Sequence, residues 1–458
     1  MSDRLTICVD TQTPLVQLLR PVPTRRSGAG TSASIYLSQL KEGVDYRYTP
    51  GGVTRMVYPL LRHLLADGVL SAAHWVSLNP SGTEEIRLGH LALHGISLGQ
   101  ARLAGYGQVK EAFWGAVHGT TEKTAALSSI FWSDNYSEFG YYNRLCASRI
   151  ASLEVVHDFD LFYVHDFQQL PLGQMLGTLK PKIFRWHIPF DASMIPPAWR
   201  PRFSTYLNSY DAVIVSSTRY LAALRALGYT GRARIVHPYV DPKEYGRPAR
   251  AEVGRLAARL GLAPSDRVVL VVARMDPMKA QDRTIRAIAR LAGRHPDLKL
   301  VLVGNGSFSS SKQGVGLSKS ARWREELERL ARRLGVAARV VFAGHLSQAE
   351  LDAIYERSSF TVLPSVREGF GLVVVESWLH GKAAIVNTEA GIVDLIHDGK
   401  NGLLVDSGNT AALAEAMEKL FNDPELAGRL GRAGRATAPR CLIDTGLRAE
   451  RAVIEELL

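Results

Sequence analysis

The sequence predicts an α/β protein built from two doubly wound domains that face each other across a cleft, and three observations predict it. Short apolar runs rich in Val, Ile and Leu alternate with segments of helical apolar period in both halves of the chain. Polar and glycine-bearing motifs follow the strand-like runs, which is where open α/β sheets bind ligands. A segment with three prolines and a glycine, residues 238–248, breaks the alternation near the middle. At 458 residues the chain is too long for one core of ordinary size. The expected domains are residues 1–242 and 243–437, followed by a segment 438–458.

An apolar content of 46% and a charged content of 22% are those of an ordinary folded protein. The net charge of +11 suits an anionic partner. No aromatic and basic residues interleave in a recognisable module, so a small anionic ligand is expected and nucleic acid is not. Cys8, Cys146 and Cys441 stand far apart with no C-x-x-C, which gives no disulfide framework and no zinc site and fits a reducing cytoplasm. The first ten residues carry an acid at position 3 and an apolar run too short for a signal peptide, and no run of 18 apolar residues exists. The expectation is a cytoplasmic protein without a cofactor. Peripheral membrane contact is left open, and no oligomeric state is decided, a homodimer included.

In chain order, residues 5–9 are apolar and β-branched and read as the first strand. Residues 10–50 read as an irregular insert, with 21–34 rich in Pro, Arg, Ser and Gly and expected to be mobile. Gly51 and Gly52 then open a helix whose apolar stripe is Met56, Leu60, Leu61, Leu64 and Leu65, closed by Asp67-Gly68. A Gly pair before a helix offers amides to an anion, with a plain turn as the alternative. Arg55, Arg62 and His63 give this helix a basic edge. Residues 73–78 and 162–164 read as further strands, with a helix between them ending near Leu153. The second strand runs into His165-Asp166-Phe167-Gln168-Gln169, and residues 182–186 run into His187-Ile188-Pro189-Phe190. One strand-end histidine is commonly a structural hydrogen-bonder, but two beside a carboxylate suit the fixed hydroxyl directions of a sugar. A strand at 211–216, a helix through Leu227 and a short run at 235–236 complete the first half.

The second half opens with a helix at 253–260 and a buried parallel strand at 267–273. Arg274-Met275-Asp276-Pro277-Met278-Lys279 follows. Across this Pro-containing turn an Arg fork and a Lys point charge can converge on one phosphate pair. Residues 298–304 form another strand, and Gly304-Asn305-Gly306 is a weak nucleotide signal by itself. Residues 307–320 read as a flexible flap, 323–334 as an exposed helix, and 340–343 as a strand running into Gly344-His345. Residues 360–364 are a strand ended by Pro. Beyond it lies R-E-G-F-G-L-V-V-V-E, in which Glu368 and Glu376 stand eight residues apart. Gly369 and Gly371 let backbone approach a ligand closely, and the amides from Gly369 through Phe370 and Gly371 to Leu372, at a helix start, suit a diphosphate. Two glutamates on an arbitrary helix are solvated. Beside a diphosphate they would accept from sugar hydroxyls. A strand at 383–386, a short strand at 402–405 and helices at 411–420 and 425–433 finish the alternation.

These motifs resemble those of the retaining, two-domain glycosyltransferases of glycosyltransferase family 4, a GT-B fold, and of the synthases of sucrose, trehalose and trehalose 6-phosphate. The resemblance is strong over about residues 160–405 and faint before residue 50. It implies transfer of a hexosyl group from a nucleoside diphosphate sugar to a hydroxyl, with retention. By it, Glu368 contacts the donor sugar and the amides of Gly369 to Gly371 the diphosphate. Glu376 takes the ribose, and Arg274 and Lys279 neutralise the leaving group. The strand end at Gly304 and His345 lies near the nucleotide, and Gly51 and Gly52 reach the donor phosphate. Asp166, Gln168, His187 and Trp132 line the acceptor side, and the final helix crosses back onto the first domain. Ala280 stands where the family pattern has Gly, so a different local turn is expected. No metal cluster is visible, and a front-face mechanism in which the leaving phosphate takes the acceptor proton is implied. The preferred acceptor is free glucose, giving trehalose. Residues 130–135 carry Asp134 and no cation, and Asp134 would repel a dianion by about 1 kcal/mol in a wet cleft. Arg20, Arg25 or Arg26 would reverse that preference toward a sugar phosphate. A polyol or lipid acceptor stays open. A nucleotide-sugar epimerase or hydrolase would share the donor motifs but not the H-D-F-Q-Q and H-I-P-F segments.

Overall fold

The computed structural model describes residues 4–22, 34–49, 51–79, 85–119, 125–305 and 315–458, the side chains of 125–126 and 315–318 apart. The chain forms two units, residues 1–236 with 447–458, and residues 237–446. The division therefore falls at 236/237, and the returning segment begins at Leu447 rather than at 438.

The strands of the first unit are β1 Leu5–Asp10, β2 Val16–Leu18, β3 Ser34–Tyr36, β4 Tyr46–Tyr48, β5 Leu70–Leu78, β6 Glu85–Leu88, β7 Leu91–Ile96, β8 Leu161–His165, β9 Lys182–Arg185, β10 Ala212–Val215 and β11 Arg232–Ile235. Nine of them form one sheet in the order β11-β10-β9-β8-β1-β5-β7-β6-β3, parallel except for the β6–β7 pair. The chain winds outward from β1 through β5 and returns through β8 on the other side. The topological switch point therefore lies between β1 and β8, where Asp10 pairs in register with Val164. The residues at those two strand ends, Asp10 and His165-Asp166, are placed where such sheets bind ligands. An aromatic-rich core that includes Tyr106, Phe113, Phe139, Tyr142, Trp199 and Phe203 fixes the helices Gln100–His118 and Asp134–His157 on this unit.

The second unit is a purely parallel sheet of β12 Arg267–Val272, β13 Leu298–Val303, β14 Val340–Gly344, β15 Phe360–Leu363, β16 Ala383–Asn387 and β17 Leu403–Val405, ordered β14-β13-β12-β15-β16-β17. Its switch point falls between β12 and β15. The continuous apolar sequence of β12 follows from burial on both faces, since Val268 to Val271 are at most 2% exposed.

Several sequence expectations need correction. The 10–50 insert is not wholly irregular, because β2 and β4 form an antiparallel ribbon and β3 extends the main sheet. Its stretch 23–33, with Arg25 and Arg26, lies outside the described residues. Between the strand at Leu70–Leu78 and β8 the chain adds β6, β7 and the helix Gln100–His118, and the next helix runs to His157 rather than to Leu153. The short β6 and β7 escape a propensity reading because β7 carries His94 and Gly95 where apolar residues are expected. His94 is nonetheless buried against His74, with Nδ1 of His74 and Nε2 of His94 2.9 Å apart. Gly306 and the first part of the 307–320 flap lie outside the described residues, whereas Val315–Arg333 is helix, starting eight residues before the expected one. No helix among the described residues is long and apolar enough to cross a membrane.

Candidate active site

In the second unit four strand ends are stitched together by backbone bonds. Gly304 N donates to Gly344 O at 2.7 Å, Met275 N to Asn305 O at 3.1 Å, and Val366 N to Met278 O at 3.0 Å. The residues after β12, β13, β14 and β15 thus form one rim, which carries Arg274, Lys279, Gly304, His345 and Glu368. Gly304 sits at φ 128°, and a Cβ there would lie 2.2 Å from Ala273 O, so this close crossing of β12 and β13 needs glycine.

Lys279 and Glu368, far apart in sequence, meet on this rim with Nζ 2.7 Å from Oε2. Burial pushes the Glu368 carboxyl up, but the Lys279 cation, followed by the Ser365 hydroxyl and the field of Arg274, outweighs it and holds the group below its ordinary range. Glu368 is therefore an ionised acceptor, and Arg274 is exposed on the same edge. Lys279 closes a short turn Pro277–Lys279 started by Asp276, whose side chain accepts from Met278 N at 2.9 Å. The turn ends on Ala280 at φ 50°, ψ 36°, a left-handed conformation that favours Gly. Ala in that conformation costs about 1–2 kcal/mol. Burial of Ala280 and of the helix Gln281–Leu291 that follows over-determines it.

Glu368 and Phe370 are clamped by Gly391 N and Ile392 N, at 3.1 and 2.8 Å from their carbonyl oxygens. His237 stacks on Phe370 with centroids 5.5 Å apart. Gly371, at φ 108°, caps the helix Leu372–Leu379 and lies against Leu363, leaving the Leu372 amide at the helix start. Glu376 lies on that helix and accepts from the hydroxyls of Tyr245 at 3.2 Å and Tyr355 at 2.9 Å, one on each oxygen. Sequence reading finds the carboxylate but not the two tyrosines, which come from distant segments.

In the first unit Asp166 and His187 are joined directly, His187 N donating to Asp166 Oδ1 at 2.9 Å. Asp166 holds φ 65°. It is one of three non-glycine residues at positive φ among the described residues. Of the others, Ala280 is on the rim of the second sheet and Asp158 caps a helix. Burial raises the Asp166 carboxyl from 3.8 to about 7, while the His187 amide and Arg185 restrain the rise. The His165 ring meets the His187 ring, Nδ1 to Nε2, at 3.0 Å. Beneath them Arg185 forms a buried ion pair with Glu450, which also accepts from Tyr163. Asp10, at the end of β1, is fully buried, accepts from Gln169 Nε2 at 2.5 Å and is raised by burial to about 7. An acid closing the first strand was the signal available for it. Gln168 turns its carbonyl to Asn143 Nδ2 at 3.1 Å.

Gly51 and Gly52 open the helix Gly52–Ala66 as expected. Trp132 lies on a separate turn, Ile130–Trp132, and is 83% exposed. The 130–135 stretch has a cation beside it, because Arg202 reaches over Phe131 at 5.1 Å and Trp132 at 5.9 Å. Asp134 occupies the first turn of the helix Asp134–His157, where the helix dipole favours an acid irrespective of any ligand. Arg20 is paired with Asp45.

If Asp166 serves a substrate hydroxyl as an ionised hydrogen-bond acceptor, kcat/KM for that substrate should fall about tenfold per pH unit below about pH 7, since a raised carboxyl binds its proton there. A pH–rate profile measures this. Asp166→Asn should remove the step although Asp10 still titrates, and a flat wild-type profile would contradict the role.

The two sheets, each with its switch point, define a GT-B fold. Residues 255–437 match the family described as glycosyl transferases group 1, and residues 131–222 match the trehalose synthase N-terminal domain. A D-inositol 3-phosphate glycosyltransferase from Streptomyces avermitilis is 36% identical over 205 residues, 44% of this chain and 42% of the relative. The chain spans about half the length of the curated relatives it matches. Solved structures that share the fold include the following two. A sucrose-phosphate synthase from Thermosynechococcus elongatus has a TM-score of 0.69 at 19% identity over 99% of both chains. An alpha,alpha-trehalose-phosphate synthase (UDP-forming) from Burkholderia xenovorans, in complex with glucose-6-phosphate, has a TM-score of 0.72 at 17% identity over 99% of this chain and 100% of that one.

Proposed function

We propose that the chain is a retaining hexosyltransferase that moves a glucosyl group from a nucleoside diphosphate glucose to a small sugar. The observation that carries this reading is the meeting of Lys279 with an ionised Glu368 at the switch point of the second sheet, beside Arg274 and the helix start at Gly371-Leu372. Arg274, Lys279 and the amides of the 369–372 loop stabilise the leaving diphosphate electrostatically, which needs no metal cofactor. Glu368 accepts from a hydroxyl of the transferred sugar. Glu376, held in place by Tyr245 and Tyr355, accepts from a ribose hydroxyl. His345 meets the base. On the acceptor side Asp166 orients the attacking hydroxyl and His187 contacts the transferred sugar. The proton passes to the leaving phosphate, and attack occurs from the face that the diphosphate leaves. A cytoplasmic location accompanies a nucleotide-sugar donor.

Free glucose, giving trehalose, is the first acceptor, supported by the match of residues 131–222. A phosphorylated sugar is the second reading, favoured by the Arg202 guanidinium over Phe131 and Trp132. The test is a product assay with UDP-, ADP- and GDP-glucose against glucose, glucose 6-phosphate, inositol 3-phosphate, fructose and glycerol, with a chelator present. Trehalose from glucose is expected. Turnover of phosphorylated acceptors alone would select the second reading, and full loss with the chelator, reversed by one divalent ion, would contradict the metal-free mechanism.

A further inference from the structure

We propose that His165 is a positioning residue that fixes His187 in its Nδ1–H tautomer, so that His187 meets the substrate as a hydrogen-bond donor and not as a base; this rests on the transferase reading above. The two rings share one contact, His165 Nδ1 to His187 Nε2 at 3.0 Å, with centroids 5.2 Å apart. Burial, and in second place the neighbouring charges, pushes both imidazoles well below their ordinary range, so both are neutral. A contact between neutral rings joins one N–H to one lone pair. If His187 donated, His165 would carry its hydrogen on Nε2, a fully buried nitrogen with no protein partner among the described residues. If His165 donates instead, that nitrogen is a bare lone pair. Buried N–H groups without a partner are rarer and costlier than acceptors in the same position.

The consequence is chemical. With Nε2 of His187 occupied as an acceptor, the nitrogen left for substrate is Nδ1–H, which donates to a sugar oxygen and cannot take a proton from the attacking hydroxyl. The acceptor proton must then leave by another group, as it does when the departing phosphate accepts it. The His187 amide is spent on Asp166, and His165 is held from behind by the Tyr163 ring, 4.3 Å away between centroids. His165 is the last residue of β8, and His187 stands two residues beyond the end of β9, so both rings are placed by strand ends.

The test reads the tautomer and the rate separately on the full chain. In long-range 15N–1H imidazole spectra, the His187 pattern, identified among 13 histidines by its loss in His187→Gln, should be that of Nδ1–H without any substrate. In His165→Phe it should become mixed or Nε2–H, and kcat should fall by about 10- to 100-fold with donor KM changed by less than about threefold. His165→Asn, whose amide N–H replaces the Nδ1–H donor, should restore the tautomer and most of kcat. An Nε2–H pattern in the wild type, or an unchanged pattern in His165→Phe, overturns the proposal. An enzyme with the predicted tautomer that transfers nothing overturns the transferase reading and leaves the tautomer assignment standing.

Discussion

Replacing Lys279 with alanine is expected to lower glycosyl transfer by about 100-fold or more, and Arg274→Ala should do the same. Lys279 is the only one of the two seen in an ion pair among the described residues, with Glu368, and its removal acts twice. It deletes a cation from the leaving diphosphate. It also removes the charge that does most to hold Glu368 below its ordinary range, leaving that carboxyl to the opposing pull of burial. Arg274 is exposed on the same rim, so its loss should cost binding and rate without disturbing the fold. Initial rates for donor and acceptor, with unfolding midpoints as a control, check both variants. Near-normal transfer by the two folded variants would remove the donor assignment.

Glu450→Ala should destabilise the protein by about 3–5 kcal/mol, because it leaves the Arg185 guanidinium buried and unpaired. The two side chains are 3% and 2% exposed, and Glu450 also takes the Tyr163 hydroxyl. Arg185 keeps a contact to the Val236 carbonyl at 3.3 Å, which cannot replace a carboxylate. Glu450→Gln retains the shape and an acceptor and should lose less. Urea unfolding followed by circular dichroism measures both. A loss below about 1 kcal/mol for Glu450→Ala would mean that the pair is not buried in solution.

What is legible in the sequence is what a short stretch can encode. β12 reads as a strand because a parallel strand buried on both faces has no polar positions, and Arg274 and Lys279 follow it directly. Glu368 and Glu376 belong to one contiguous motif, and the helix at Gly52 carries its own start and stop signals. What escapes it depends on partners distant in the chain. Tyr245 and Tyr355 on Glu376, Glu450 beneath Arg185 and Arg202 over Trp132 all arise only when separate segments are brought together. β6 and β7 are hidden by His94, a polar residue whose burial is satisfied by another buried histidine. Asp134 reads as an acid facing a ligand, although its helix start accounts for it.

The most direct test of the central claim is a time course with UDP-glucose, followed by 1H NMR with and without glucose. Nucleoside diphosphate should appear only when acceptor is present, in equal amount to an α-linked disaccharide. Consumption of the donor at the same rate without acceptor, or conversion to an epimeric nucleotide sugar, would contradict it.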